Sequence, residues 1–96
     1  MRHSYVVTYD ISDPKRLRRV FRLMLGYGDH IQLSVFECEL NARELVELRR
    51  DLGEIIHHEE DQVLFVSLGP VEGRGSDCIT SLGRAYIDSE RVAVVA

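Results

Sequence analysis

The sequence predicts an α+β domain in which an antiparallel sheet carries two helices on one face. Three observations predict it. Apolar, β-branched and aromatic segments at residues 3–11, 31–40 and 62–68 lack a helical period. Between them lie two segments, from Asp13 to Gly26 and from Asn41 to about Ile56, whose apolar residues recur at helical spacing. The resulting order of strand, helix, strand pair, helix, strand is that of a split βαβ unit, the ferredoxin-like βαββαβ arrangement.

The first strand is His3-Ser4-Tyr5-Val6-Val7-Thr8-Tyr9-Asp10-Ile11, with apolar side chains on both faces, so burial on both sides is expected. Asp13 is a good N-cap and Pro14 a good first helical residue. Leu17, Val20, Phe21 and Met24 then form one apolar stripe, and Gly26 and Gly28 supply the stop. In residues 31–40 the parity of apolar residues slips at Val35-Phe36, which means a bulge or a reversal between two short strands. Asn41 and Glu44 have the spacing of a capping box, and Leu45, Leu48 and Leu52 give the second helix its stripe. His57-His58-Glu59-Glu60-Asp61 reads as a polar loop. The strand Gln62–Leu68 follows, closed by Gly69-Pro70. A glycine-rich stretch (Gly69, Gly73, Gly75) leads to a tail whose Arg91-Val92-Ala93-Val94-Val95 reads as an extra strand.

The 96 residues make a single domain, 1–96, with a core over about 1–70 and a C-terminal extension over about 71–96. A chain this short buries a modest core. A second copy is the simplest cover for the other sheet face, so a two-fold homodimer packed sheet to sheet is expected, with the last strand at the dimer edge. No apolar run reaches the ~20 residues of a membrane span, no signal-peptide pattern opens the chain, and Cys38 and Cys78 lack a C-x-x-C spacing. These features predict a reduced, cytoplasmic protein with packed or idle thiols.

The net charge of −4 is unevenly spread. Residues 1–32 carry +3 and residues 37–61 carry −6. Binding follows local potential rather than the total. Lys15, Arg16, Arg18, Arg19 and Arg22 fall within eight residues, mostly on the polar side of the first helix. They suit sequence-independent contact with phosphate, or a solvated face paired with acids of a neighbour. Arginines at a helix N-terminus do not improve the helix dipole, so helix stability does not explain their crowding.

Asp10 ends the first strand immediately before this basic helix. An acid in an apolar strand needs a partner, a metal or a solvent-facing tip. Beside cationic side chains it suits metal-assisted phosphodiester chemistry, and it equally suits a turn cap or an arginine partner. In a regular strand Tyr9 points away from Asp10 and packs. Ser34 suits a phosphate or water contact, or a backbone bond at a kink. Phe36 suits stacking on a base, or a place in the core. Adjacent His57 and His58 point apart and lack a third ligand for a transition metal. The segment Gly69–Gly75 has neither the Lys-Ser/Thr of a phosphate loop nor the dinucleotide fingerprint.

Tyr9-Asp10-Ile11, Gln32-Leu33-Ser34-Val35-Phe36-Glu37 and Glu60-Asp61-Gln62-Val63, in this order and spacing, resemble the CRISPR-associated protein "two" family, the small ferredoxin-like subunit of spacer acquisition. Leu82-Gly83-Arg84 and Val92-Ala93-Val94-Val95 are similar to that family's final strand, so the likeness covers nearly the whole chain. The resemblance implies a homodimer that binds DNA or RNA and joins the CRISPR integrase subunit. It further implies endonuclease activity on single-stranded RNA or double-stranded DNA. Asp10 takes the place of the family's acid, with magnesium, or manganese in its stead, held between two copies of Asp10 across the dimer axis. The rival readings are a purely structural bridging dimer and a toxin-like ribonuclease of the same fold.

Overall fold

The computed structural model describes residues 1–72 and 79–85. Its elements are β1 (His3–Asp10), α1 (Pro14–Leu25), β2 (Asp29–Gln32), β3 (Val35–Leu40), α2 (Ala42–Ile55) and β4 (Gln62–Pro70). They form the expected α+β arrangement, an antiparallel sheet in the order β2-β3-β1-β4. The expected last strand at 91–95, together with Gly73, Gly75 and Cys78, lies outside the described residues.

Both helices start where their caps dictate. The Asp13 carboxylate accepts from the amides of Lys15 and Arg16 at 3.0 and 2.9 Å, satisfying donors that the first turn leaves free. Asn41 and Glu44 close a reciprocal capping box at 2.8 and 2.9 Å.

Val7 and Tyr9 of β1, Phe36, Cys38 and Leu40 of β3, Val20 and Met24 of α1 and Leu48 and Leu52 of α2 share one buried core. The helices therefore cover one face of the sheet. Burial pushes the Cys38 thiol up to about 12, helped by the negative charges of Asp29 and Glu37, so it is inert packing rather than a nucleophile.

Two expectations change. The strand pair is a hairpin, and its reversal falls at Leu33-Ser34 rather than Val35-Phe36. β2 pairs irregularly with β3 between His30 and Gln32. Gly69 and Pro70 do not end β4 but belong to it. Gly69 takes φ +93° beside a register shift opposite Ser4/Tyr5, which keeps Pro70 paired with His3. Gly26 caps the end of α1 as expected, at a right-handed φ of −80°. The glycine that matters for space is Gly28, where a Cβ would clash with the Glu37 carbonyl and the Cys38 Sγ.

The second sheet face is open in one chain. With Val7 and Tyr9 turned inward, β1 presents Val6, Thr8 and Asp10 outward. Val66 and Leu64 lie opposite Val6 and Thr8 across the ladder, and both remain about half exposed. The two-sided apolar pattern of β1 and β4 is therefore met on one side only by the chain's own helices.

Candidate nucleic-acid interface at the end of the first strand

Asp10 is the last residue of β1, opposite Gln62, and it is exposed. Of the three options for this acid, the structure shows the solvent-facing tip. Its carboxylate has no hydrogen bond or ion pair among the described residues.

Next to it runs a groove of about 770 Å³ between α1 and the β2–β3 turn. Leu17, Phe21 and Leu25 follow each other at i, i+4 spacing along the α1 wall, with Arg18 and Arg22 beside them. Leu33 and Ser34 form the opposite wall, and Tyr9, Asp10 and Ile11 close the end. Arg18, Arg19 and Arg22 are exposed and enter no ion pair or side-chain hydrogen bond among the described residues. Leu33 is 89% exposed and sits at φ +26°, a left-handed conformation that costs a leucine and that glycine would take freely. The turn is held by His30, whose Nε2 lies 2.7 Å from the Leu33 carbonyl and therefore carries the donated hydrogen. The His30 ring in turn packs edge-on to Phe21 and tilted on Phe36, each at 5.0 Å between centroids.

The remaining predicted residues divide. Lys15 is exposed on α1. Tyr9 is buried at 5% exposure, as the strand parity required, and its desolvated hydroxyl has a raised pKa. Ser34 lines the groove, and its carbonyl accepts from the Tyr9 amide at 3.1 Å. Phe36 has no exposed surface and stacks on Tyr9 at 6.2 Å, so it is a core residue and not a platform for a base.

Arg16 also departs from the expected solvent-facing set. Its Nε donates to Asp61 Oδ2 at 2.8 Å, and its Nη2 reaches Asp61 Oδ1 and Glu60 Oε1, both at 3.2 Å. Asp61 further accepts from the Ser12 amide at 2.9 Å, the Ser12 hydroxyl at 3.1 Å and the His57 amide at 2.8 Å. This clasp ties the β1–α1 turn, directly after Asp10, to the α2–β4 loop. Sequence reasoning named Asp61 only as part of the segment Glu60-Asp61-Gln62-Val63 and did not foresee this clasp, because its partners lie up to 49 residues away. The only local signal was an acid placed immediately before a strand.

The hydrogen bonds from Arg16, more than any other cause, hold the Asp61 carboxyl well below its ordinary value of 3.8. A depressed folded-state value stabilises the fold above the unfolded-state pKa, and that stability is lost as pH falls through the folded one. Asp61→Asn is therefore expected to lower Tm by several degrees at pH 7. The difference from wild type should persist down to about pH 5 and shrink below about pH 4. Calorimetry from pH 2 to pH 8 checks this, and a difference that grows on acidification would refute it.

His57 and His58 are engaged locally. His57 Nδ1 accepts from the Glu59 amide at 3.3 Å, and His58 Nε2 lies 3.0 Å from the Gly53 carbonyl. Among the described residues no three His, Cys, Asp or Glu side chains gather to hold a metal. No helix among those residues is long and apolar enough to cross a membrane.

Comparison with known proteins agrees with the geometry. The family described as CRISPR associated protein Cas2 matches residues 3–72. A CRISPR-associated endoribonuclease Cas2 of Rhodospirillum rubrum is 45% identical, with 97% of this chain and 90% of the relative covered. One of Geobacter sulfurreducens is 39% identical, with 99% of each covered. Among solved structures, Streptococcus pyogenes Cas2 superposes with TM-score 0.71 at 33% identity, covering 83% of this chain and 99% of that one. A Thermus thermophilus protein described as hypothetical, TT1823, superposes at 0.76 and 33%, covering 91% and 98%.

Proposed function

The chain belongs to the CRISPR associated protein Cas2 family, and from that premise we propose that it is a metal-dependent endonuclease that binds nucleic acid through α1 and cuts phosphodiester bonds at Asp10. One observation carries the reading. Among the described residues, a carboxylate with no partner stands exposed at the tip of β1, beside Arg18 and Arg22, which have none there either. The curated relatives' name, endoribonuclease, supports it.

Magnesium takes oxygen ligands and retains several waters, so one or two carboxylates together with substrate phosphate suffice. One chain offers Asp10 alone, which holds the ion poorly. Leu64 and Val66 leave an apolar face open to a second copy, and if that copy brought its own Asp10 alongside, the two carboxylates would hold the ion better than one. When bound, the ion supplies charge neutralisation on the phosphate and a more acidic water. Manganese fits the same oxygen donors. Arg18, Arg19, Arg22 and Lys15 position the backbone without reading bases. Arg16 acts from the clasp and fixes the turn that carries Asp10. In the adaptation role that the family resemblance implies, the dimer bridges the CRISPR integrase subunit. The acidic stretch 37–61 suits a protein-docking face better than a phosphate contact.

The test is cleavage by the purified protein of single-stranded RNA and of double-stranded DNA, in magnesium, in manganese and in chelator, with solution mass measured on the same samples. Cleavage with either ion, none in chelator, and twice the mass of one chain are expected. A dimer that cuts neither substrate with either ion refutes the catalytic part and leaves the bridging dimer.

A further inference from the structure

His30 is not among the residues that line the groove beside Asp10, yet it heads a chain of contacts that ends there. Its ring packs edge-on to Phe21 of α1 and tilted on the buried Phe36 of β3, each at 5.0 Å between centroids. Two aromatic neighbours on different elements restrict the ring to one orientation. That orientation brings Nε2 within 2.7 Å of the Leu33 carbonyl. The bond holds the β2–β3 turn at a residue whose φ of +26° a leucine takes only at a cost. The next residue is Ser34, whose carbonyl accepts from the Tyr9 amide at 3.1 Å, just beyond the last pair of β1 and β3, Thr8 with Val35. Tyr9 immediately precedes Asp10. On its other side the end of β1 pairs with β4, Asp10 opposite Gln62.

A carboxylate that holds a cation against a phosphate works only from a fixed place, and a displacement of about 1 Å can cost on the order of 10²-fold in rate. The Tyr9–Ser34 bond anchors the strand tip on its β3 side, and it is only as fixed as the turn that supplies the carbonyl. That turn has little packing of its own, since Leu33 is 89% exposed. Without the bond from His30, Leu33 would relax from its left-handed conformation and carry Ser34 with it. We propose that His30 is a positioning residue for Asp10, fixing the end of β1 through Leu33 and Ser34 so that the carboxylate is in place before substrate arrives. The role needs only a donor, which Nε2 supplies in the neutral tautomer that carries its hydrogen there and equally in the cation. His30 therefore takes no part in proton transfer. The inference rests on the catalytic reading of Asp10 above and adds to it a residue that does not line the groove.

Two variants of the full chain separate the donor from the ring. His30→Phe keeps the packing on Phe21 and Phe36 and removes the donor. His30→Gln keeps a donor nitrogen at a similar reach and removes the ring. Amide hydrogen exchange, followed by NMR without metal, reads the anchor directly, with the amide of the buried Leu48 in α2 as reference. His30→Phe is expected to speed exchange at Tyr9 relative to Leu48 by roughly five- to tenfold, the worth of one hydrogen bond. His30→Gln is expected to leave that ratio near wild type although its Tm falls. In magnesium, on whichever of the two substrates wild type cuts, His30→Phe is expected to lower kcat about tenfold at unchanged KM, because the α1 arginines still hold the backbone. His30→Gln is expected to retain most of kcat and the wild-type pH profile. Equal exchange at Tyr9 in His30→Phe and wild type overturns the proposal, with or without cleavage. So does a kcat that follows Tm rather than the donor, with His30→Phe active and His30→Gln not. A shifted pH profile in His30→Gln overturns it in favour of proton transfer by His30. A wild type that cuts nothing fails the catalytic reading of Asp10 and the positioning role with it, whereas His30→Phe cutting as fast as wild type fails the positioning role alone.

Discussion

Asp10→Asn is expected to reduce phosphodiester cleavage by about 10²-fold or more while leaving thermal stability and solution mass at wild-type values. The substitution keeps shape and removes charge. Without the carboxylate there is no anionic oxygen to hold a cation against the phosphate, and such electrostatic contributions are commonly worth factors of this size. Stability should be spared because Asp10 is exposed and bonded to nothing among the described residues, the situation in which surface changes stay within about 0.5 kcal/mol. Cleavage time courses at matched magnesium, with Tm and mass measured on the same preparation, check this. A variant that cuts at the wild-type rate would show that Asp10 is only the end of a strand. A variant that loses activity together with its dimer would move the role of Asp10 from chemistry to assembly.

The second large effect lies in the core beneath the groove. Phe36→Ala is expected to destabilise the fold by about 3–5 kcal/mol, against a total near 5–15 kcal/mol for a domain. Phe36 is fully buried and touches Tyr9, Phe21 and His30 at centroid distances of 6.2, 5.7 and 5.0 Å. Truncation removes those contacts and leaves a cavity that the β2–β3 turn cannot fill without moving. Urea titration measures the loss. Phe36→Leu, which keeps most of the volume, should retain most of the stability and the full affinity for single strands. If Phe36→Leu folded normally yet lost binding, Phe36 would be a binding residue and its burial would be misleading.

The elements were legible because their signals are local. Asp13 before Pro14 and Asn41 three residues before Glu44 state where the helices begin, since a cap acts within one turn. The stripes ending in Met24 and Leu52 state which faces turn inward. The alternation across Tyr9 and Asp10 states that the two side chains point to opposite faces. The reversal between β2 and β3 was misplaced by two residues for a local reason too. Leu33 is not a turn residue by composition, and it occupies a left-handed position that sequence preference assigns to glycine or asparagine.

The site was half legible. Asp10 and the arginines could be named from their crowding, but their division of labour could not. Arg16 and Arg18 look equivalent in the sequence. In the structure one is bound to Asp61, 45 residues away, and the other lines a groove wall with no partner among the described residues.

The sequence by itself determined the order of strands and helices, the place of an acid at the end of β1 and the concentration of positive charge on α1. All of these follow from interactions within a few residues of each other. Only the tertiary structure decided that Asp61 clasps Arg16, that Phe36 belongs to the core and that Leu33 stands opposite Leu17 across a groove. Those pairings join segments distant in the chain, and they are set by how β1, β3 and β4 align in the sheet and by where α1 settles on it. No local preference encodes that choice, because it is made by the packing of the whole core at once.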